Sequence, residues 1–352
     1  MLNLAIVGGG FYGCYLAKKF KDKLKSKISI DIFEKNDDLI LEAGNNNQCK
    51  LHLGFHYPRS IFTIKQVVKG SKIFSNEFKK FVVFPKKNIY LIHKNSHVNF
   101  KKYYEIYKKL KVDIKKYDIR KIKFLKNYDD FNGAFNTKEG VIQFDKLNFF
   151  LIKYVKKKCN IFLNKKVIKI DSKKGIVFDQ DKNPSKKYDY IINCNYTNPN
   201  LGLRKKFKLK YEFAGMVKFY NPFKEMVGVT IMDGQFVTLY PRNKLFSSLS
   251  SVKCTPIKRF KKLKDLYKFQ SKFNLNKNNR IKLIIDDVRN YFSKKLVIEK
   301  PVLITSPKTK VYNDNKDQRP TLIRRHKKTF SILAGKIDVA PLIFEALIKK
   351  II

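Results

Sequence analysis

The chain has 352 residues, a formal net charge of +48 and five cysteines. A chain of this length can bury a large core and is expected to form two domains, while five separated cysteines without a CxxC pair argue against a disulfide framework or a zinc site. Met1 leads directly into a short apolar run, and no apolar stretch approaches the roughly 20 residues that cross a bilayer, so we expect a cytoplasmic protein without a signal peptide or transmembrane segment.

The positive charge suggests a nucleic-acid-binding protein, because a basic face neutralises phosphates and releases counterions. However, only ten of the 77 basic residues are Arg, and the lysines are spread along the chain. Phosphate-binding and base-reading sites favour the planar Arg guanidinium, whereas dispersed Lys mainly hydrates a surface. We therefore expect a solvated surface rather than a nucleic-acid site. Weak attraction to RNA, or peripheral contact with anionic lipid, is left open.

The first 34 residues predict a nucleotide-binding unit. "LNLAIV" is typical of a buried parallel strand, "GGGFYG" follows it, "CYLAKKFKDKL" has helical spacing, and "ISIDIFEKN" alternates like a strand that ends in Glu34. Gly8, Gly10 and Gly13 fit G-x-G-x-x-G, in which the glycines allow a tight turn, the approach of a pyrophosphate and close helix packing. The helix N-terminus would bind phosphates, and Glu34, 21 residues after Gly13, would bind an adenosine ribose. This pattern alone does not separate NAD from FAD.

The following segment resembles a family of flavoproteins. "NNNQCKLHLGFHYPRS" and then "TIKQVVKGS" are similar to the stretch after the second strand in the D-amino-acid oxidase superfamily, most closely in its L-2-hydroxyglutarate dehydrogenase-like branch. Asn47, His52, Gly54 and Tyr57 match positions that run along the flavin ring in that family. The resemblance therefore implies FAD as the cofactor.

The resemblance extends to later segments, namely 138–171, 188–200, "DQRP" at 317–320 and "FSILAGKID" at 330–338. It implies that FAD contacts the following residues: Gly8, Gly10, Phe11, Tyr12, Gly13, Glu34, Asn47, His52, Val167, Gly335, Lys336 and Ile337. Whether the flavin is covalently attached is left open, and Cys49 and His52 would be the candidate attachment sites.

The chain also departs from the family pattern. Asn195 and Tyr196 follow the returning strand, where the family usually has a small pair. Lys336 and Ile337 replace the His-Gly that many members have in the C-terminal turn, and Asp145 stands where many have Pro. Lys336 would either neutralise a reduced, anionic flavin or lie solvated at the surface.

The predicted fold class is α/β, a Rossmann-type FAD-binding domain with an inserted α+β substrate domain of mostly antiparallel sheet. We place the discontinuous FAD-binding domain at 1–80, 136–205 and 310–352, and the substrate domain at 81–135 and 206–309. The supporting segments are strands in 81–93, a helix in 99–111, a loop at "DFNGAFN" (130–136), strands in 211–255, and helices in 258–295 separated by "NLNKNNR".

In this superfamily a C–H bond next to an amine or hydroxyl gives hydride to the flavin. His52 or His56 would accept the heteroatom proton, since imidazole has a near-neutral pKa; both would alternatively hold the loop through the backbone, which we favour for His56. The sequence shows no third ligand beside this pair, so we predict no metal site.

Three residues are candidates for substrate binding. Arg242, in "LYPR", would bind a carboxylate bidentately, with Tyr240 and Tyr57 as hydrogen-bond donors. Arg59 would instead stabilise the 45–59 loop, and Arg319 the C-terminal turn.

The preferred hypothesis is an FAD-dependent oxidoreductase that oxidises a small amino acid, hydroxy acid or related amine or alcohol, with an undefined electron acceptor. The alternative is a catalytically inactive flavin-fold protein, or an RNA-binding protein that uses its basic surface. Asn195 and Tyr196 motivate this alternative.

Overall fold

The computed structural model describes residues 1–273, 277–312 and 319–352. The strands in these ranges are β1 (Leu2–Val7), β2 (Ile28–Phe33), β3 (Lys50–Leu51), β4 (Val82–Val83), β5 (Lys87–His93), β6 (Ile114–Tyr117), β7 (Phe131–Thr137), β8 (Gly140–Ile142), β9 (Asn160–Phe162), β10 (Lys169–Asp171), β11 (Ile176–Phe178), β12 (Tyr190–Asn193), β13 (Leu209–Tyr220), β14 (Val227–Met232), β15 (Val237–Pro241), β16 (Phe246–Ser251), β17 (Pro256–Phe260), β18 (Val302–Val311), β19 (Leu322–His326) and β20 (Thr329–Leu333). The α-helices are α1 (Phe11–Leu24), α2 (Ile61–Glu77), α3 (Phe100–Lys109), α4 (Phe144–Lys158), α5 (Leu263–Lys272), α6 (Lys277–Arg289) and α7 (Ala340–Ile351).

A six-stranded sheet with the order β19-β20-β12-β1-β2-β9 forms the nucleotide-binding side of the molecule. Its strands are parallel except for the edge strand β19. Residues 4–7 of β1 are buried, and Leu4 and Ile6 share one core with residues of α1, α4 and α7. This arrangement confirms the predicted Rossmann-type fold.

A nine-stranded sheet forms the other large layer, with the order β17-β13-β16-β15-β14-β5-β7-β6 and β18 on the free side of β13. The β14–β5 pair is parallel, and the remaining pairs are antiparallel. Ile284 and Val288 of α6 pack into the core beneath it. The prediction of a mostly antiparallel second sheet is confirmed, while the proposed domain boundaries stay a prediction.

Two local predictions were wrong. Residues 130–136 were expected to form a loop, but 131–137 form β7 between β5 and β6, because Phe131, Ala134 and Phe135 are buried there. Asn132 and Gly133 suggested a turn, but they lie where the β5–β7 register shifts, and a bulge accommodates such residues within a strand.

The second error concerns the Lys-rich segment. Residues 256–260 form β17 before the helices begin, because they pair with β13. Of "NLNKNNR", the last four residues already belong to α6 and the first three lie outside the described residues, as do the first two residues of "DQRP". In the described ranges, no helix is long and apolar enough to cross a membrane.

Candidate active site

A cavity of about 650 Å³ lies between the two large sheets. On one side it is lined by Val7, Phe33 and Cys194, at the carboxyl ends of β1, β2 and β12. On the other side it is lined by residues of the nine-stranded sheet, including Thr230 and Ser306. The carboxyl ends of parallel strands are where ligands bind in open α/β sheets, so this cavity is the candidate site.

The glycine turn opens into this cavity. Gly8 has φ +102°, a conformation that favours glycine, and a Cβ on Gly13 would lie only 2.0 Å from the Gly8 carbonyl oxygen. By contrast, a Cβ on Gly10 would meet nothing within 4 Å. Gly10 caps the N-terminus of α1 and lines the cavity, so an open space adjoins free backbone N–H groups. A pyrophosphate fits such a space chemically and sterically.

Glu34 lies at the end of β2 and its carboxylate is held in place. The N–H of Gly9 donates to Oε2 at 2.7 Å, and the Asn36 N–H and side-chain amide donate to Oε1 at 3.0 and 2.8 Å. Burial raises the pKa of Glu34, although these donors oppose that effect. The fixed carboxylate lines the cavity and can accept further hydrogen bonds, as a ribose would require.

The structure brings the residues implied by the resemblance together. Gly13 packs beneath the turn and does not line the cavity. The others all line it: Gly8, Gly10, Phe11, Tyr12, Glu34, Asn47, His52, Val167, Gly335, Lys336 and Ile337. Asn195 and Tyr196, which depart from the family pattern, also line it.

Asp338 and Ser71 fix the backbone of His52. The His52 N–H donates to Asp338 Oδ2 at 2.7 Å, while the Ser71 hydroxyl contacts both the His52 carbonyl oxygen and, at 3.1 Å, Asp338 Oδ2. Burial raises the pKa of Asp338 to about 6, and Lys336 partly opposes this. The loop of residues 45–59 is thereby fastened to the C-terminal segment of the chain.

The imidazole of His52 faces Lys336. Lys336 Nζ lies 2.9 Å from His52 Nε2, which suits an ammonium donating to the ring nitrogen lone pair. Burial, followed by the charge of Lys336, holds the pKa of His52 well below its usual range. His52 is therefore neutral near pH 7. Its Nδ1 has no hydrogen-bond partner among the described residues.

A buried polar network lies behind His52. The short β3–β8 pairing brings Lys50 beside Glu139, with Lys50 Nζ 3.4 Å from Glu139 Oε2 and both side chains fully buried. Tyr90 donates to Glu139 Oε2 at 2.5 Å, and its hydroxyl lies 2.6 Å from His56 Nδ1. Thr230 lies 3.3 Å from Lys50 Nζ.

Electrostatics in this network favour neutral bases. Burial lowers the pKa of Lys50 to about 8, although Glu139 opposes the effect. Burial also lowers the pKa of His56 well below its ordinary value, and Lys50 adds to this. Lys50 lines the cavity, so the site contains an amine that is partly neutral in the physiological pH range.

The structure supplies a third potential metal ligand that the sequence did not indicate. Nitrogen atoms of His52 and His56 and a carboxylate oxygen of Glu139 all lie within 4.8 Å of one another. However, Glu139 already accepts hydrogen bonds from Tyr90 and from the Leu53 N–H, at 2.5 and 2.8 Å. The ammonium groups of Lys50 and Lys336 adjoin the same cluster and would oppose a cation. The arrangement suits proton exchange better than metal binding.

The geometry does not support the predicted substrate contacts of Arg242 and Tyr240. The Arg242 guanidinium donates to the Asn47 carbonyl and, at 3.4 Å, to the Asn45 carbonyl, so it holds the 45–47 loop. The Tyr240 hydroxyl donates to the Gly140 carbonyl at 2.8 Å and is buried. Neither residue lines the cavity. Both lie on strand β15 or directly after it, and the pleat turns them toward the loop and β8 instead.

The remaining candidates also have partners that differ from expectation. Arg59 lines the cavity and pairs with Asp233, at 2.6 Å between Nε and Oδ2, rather than only stabilising its own loop. His56 contacts the Tyr90 hydroxyl rather than the backbone. Tyr57 lines the cavity, with Lys336 Nζ 5.0 Å from its ring centroid.

Sequence reasoning missed Lys50, Glu139 and Asp338. Lys50 is one of many lysines, and nothing in its neighbours distinguishes it. Glu139 and Asp338 lie 89 and 288 positions from Lys50. Only the folded chain brings these groups together.

Comparisons with known proteins agree with this geometry. No protein-family model matches the chain. It is 24% identical over 351 residues to an FAD-dependent monooxygenase from Fusarium mangiferae, which covers 96% of this chain and 87% of the monooxygenase. Its structure is similar to glycine oxidase from Geobacillus kaustophilus, with TM-score 0.75, 12% identity, and coverage of 100% of this chain and 95% of the oxidase.

A second solved structure is L-alpha-glycerophosphate oxidase from Mycoplasma pneumoniae with FAD bound, with TM-score 0.72, 17% identity, and coverage of 99% of this chain and 94% of that protein. These similarities extend over the whole chain. The protein has the fold of FAD-dependent oxidases. The fold implied by the resemblance of residues 45–71 is thereby confirmed.

Proposed function

We propose that the protein is an FAD-dependent oxidoreductase that takes a hydride from a carbon bearing an amine or hydroxyl group. The observation that carries this proposal is the continuous cavity that joins the glycine turn and Glu34 to the His52–Lys336 pair. The fold supports it, as do the relatives, since one is an FAD-dependent monooxygenase and another was solved with FAD bound. Small amino or hydroxy acids are the proposed substrates.

The residues present suit FAD along the cavity. Gly8, Gly10 and the N-terminus of α1 would hold the pyrophosphate, and Glu34 the adenosine ribose. The flavin end would lie against the following residues: Asn47, His52, Val167, Gly335, Lys336 and Ile337. When bound, FAD supplies the acceptor for the hydride and its two electrons.

The chain must also accept the proton that leaves the substrate heteroatom. We assign this role to Lys50, because its pKa of about 8 leaves a useful neutral fraction near physiological pH. Tyr90 and His56, which continue the hydrogen-bonded network, would pass the proton onward. His52, whose pKa is held well below its usual range, would orient substrate rather than keep the proton.

Lys336 would stabilise negative charge at the flavin end of the cavity. Its ammonium is held beside His52 and over the Tyr57 ring, at 2.9 and 5.0 Å. A fixed cation in a buried site stabilises developing negative charge more strongly than one in water. This position favours the flavin-neutralising role over that of a solvated surface Lys.

The first experiment is the visible absorption spectrum of the purified protein, before and after heat denaturation. We expect flavin bands that move into the supernatant, followed by anaerobic bleaching with one member of a panel of amino and hydroxy acids. Bands that remain with the precipitate would instead indicate covalent attachment, at His52 rather than at Cys49, because Cys49 is buried and does not line the cavity.

Two outcomes would contradict the proposal. A protein that stays colourless after incubation with FAD does not hold the cofactor. A flavin spectrum that no amine or alcohol bleaches would favour the inactive flavin-fold alternative.

A further inference from the structure

Asn195, one of the departures from the family pattern, takes part in a chain of hydrogen bonds that ends at Tyr267. The Asn195 side-chain oxygen accepts hydrogen bonds from the Thr197 hydroxyl at 3.1 Å and from the Asn198 N–H at 3.2 Å. The Thr197 hydroxyl lies 2.6 Å from the Tyr267 hydroxyl. Because the Thr197 proton is directed at Asn195, Tyr267 is the donor in this second bond. A glycine or alanine at position 195 would remove the acceptor that orients Thr197.

Tyr267 and Thr197 belong to different layers of the molecule. Thr197 follows β12 of the six-stranded sheet and is buried, whereas Tyr267 lies on α5. This helix packs against the nine-stranded sheet, where its Leu266 shares a core with Tyr211 and Phe213 of β13. Tyr267 and Thr197 both line the cavity. Their hydrogen bond therefore joins the two layers at the cavity wall.

This contact lies at the end of the cavity where Glu34 is fixed. Lys35 follows Glu34, and its Nζ lies 5.5 Å from the centroid of the Tyr267 ring. Lys166 Nζ lies 5.3 Å from the same centroid, and the N–H of the preceding residue, Lys165, donates to the Glu34 carbonyl at 2.8 Å. Lys166 is exposed and Tyr267 is half-buried, so the cavity reaches solvent beside the Tyr267 ring.

We propose that Tyr267, held by Thr197 and Asn195, closes this end of the cavity and retains the adenosine group of FAD. The inference rests on the proposed function, which places the adenosine ribose at Glu34. An aromatic side chain beside that position can contact the adenine, because nucleic-acid bases bind aromatic rings through their π faces. The hydrogen bond to Thr197 keeps the Tyr267 ring in place, so FAD release would require this bond to open.

The rate of FAD release tests this role. The FAD-loaded full chain is diluted, and the released cofactor is followed by flavin fluorescence for the wild type, Tyr267→Phe, Tyr267→Ala and Thr197→Val. We expect release about fivefold faster in Tyr267→Phe and Thr197→Val, which both lose the hydrogen bond between these residues. Release from Tyr267→Ala, which also loses the ring, should be at least about tenfold faster. The double variant Tyr267→Phe/Thr197→Val should release FAD no faster than either single variant, because both substitutions remove the same bond.

ADP separates adenosine binding from a general loosening of the fold, because it carries the adenosine and the two phosphates of FAD without the flavin. Calorimetry with the cofactor-free full chain measures its affinity. We expect ADP to bind Tyr267→Ala at least about tenfold more weakly than it binds the wild type. Tyr104→Phe is the matched control in both experiments and should match the wild type, since Tyr104 is half-buried and does not line the cavity.

The proposed role of Tyr267 is overturned if both Tyr267 variants release FAD at the wild-type rate. It is also overturned if ADP does not bind the wild type, or binds Tyr267→Ala equally well, since Tyr267 would then only join the two layers. Melting temperatures identify an alanine variant that does not fold, and Tyr267→Phe, which keeps the ring, then decides. A wild type that holds no FAD contradicts the proposed function itself, which is a different result from wild type and variants that retain FAD equally.

Discussion

At the scale of single residues, the candidate site contains basic side chains whose protonated forms are destabilised by burial. Lys50 is buried against Glu139, Tyr90 and Thr230, and His52 is buried against the ammonium of Lys336. Burial favours the neutral forms of an amine and an imidazole, and adjacent cations add to this effect. The consequence is a cluster of bases that are available near neutral pH, where exposed lysines would be fully protonated.

The pH dependence of flavin reduction tests the role of Lys50. The neutral amine accumulates as the pH rises through about 8, so the rate of substrate-driven reduction should rise over the same range. Lys50→Met should lower that rate by roughly 10²–10⁴-fold. It should also abolish the rise in rate near pH 8. Stopped-flow absorbance under anaerobic conditions measures the rate of flavin reduction at each pH.

His52→Gln is the matched comparison for Lys50→Met. This variant should lower the rate of flavin reduction but keep the rise in rate near pH 8, because the pKa of His52 lies well below that range. If the Lys50 variant kept the rise in rate near pH 8, Lys50 would be excluded as the proton acceptor.

The raised pKa of Asp338 predicts that the free energy of unfolding depends on pH. Its folded pKa of about 6 exceeds its ordinary value of 3.8, so the folded state binds the proton more tightly than the unfolded state. The resulting stabilisation is fully present below about pH 3.8 and is lost as the pH rises through 6. Its Oδ1 has no hydrogen-bond partner among the described residues, which is consistent with a costly charge.

Asp338→Asn removes that charge and keeps an acceptor for the His52 N–H. We expect the variant to gain about 1–3 kcal/mol relative to wild type between pH 4 and pH 7. Urea unfolding at several pH values measures the difference. Parallel stability curves for the two proteins would show that Asp338 ionises normally in the folded state.

At the scale of elements, the β1–α1 turn contains glycines that serve two different purposes. Gly13 is required by packing, since its Cβ would overlap the Gly8 carbonyl, whereas the space beside Gly10 is open. Gly10 has φ −71°, which any residue adopts. Its small size is therefore unnecessary for packing and leaves space for a ligand that approaches the backbone.

Paired substitutions test this distinction. Gly10→Ala should retain the wild-type free energy of unfolding without cofactor and weaken FAD binding about tenfold or more, because the methyl group occupies the pyrophosphate space. Gly13→Ala should lower both stability and FAD affinity, since α1 must move away from β1, at a cost of about 1–3 kcal/mol. Equal FAD affinity in Gly10→Ala and wild type would place the pyrophosphate elsewhere.

These elements also mark how far the sequence could predict the molecule. The β1–α1–β2 unit and Glu34 were predictable because strand period, glycine spacing and helix signal lie within 34 consecutive residues. Strand β7 was missed because its turn-like residues are tolerated only beside β5. The Lys50–Glu139 pair and the Asp338 contact depend on tertiary pairing between distant segments, which no local pattern encodes.

At the scale of the whole molecule, the cavity lies where the two large sheets meet. Its walls combine residues from many parts of the chain between Val7 and Ile337, including Val167, and both sheets contribute to them. FAD would therefore contact both sheets and favour the arrangement in which they are packed together. The net charge of +48 opposes compaction of the chain through self-repulsion. The two negative charges of a bound FAD would reduce this repulsion.

This arrangement predicts a large effect of FAD on thermal stability. At a free concentration about 1,000 times the dissociation constant, FAD should add about 4 kcal/mol and raise the melting temperature by several degrees. Riboflavin, which cannot reach the glycine turn, should give a smaller shift, and Gly10→Ala should reduce the shift with FAD but not with riboflavin. Differential scanning fluorimetry measures all three. Equal shifts with riboflavin and FAD would mean that the glycine turn and Glu34 contribute nothing to cofactor binding.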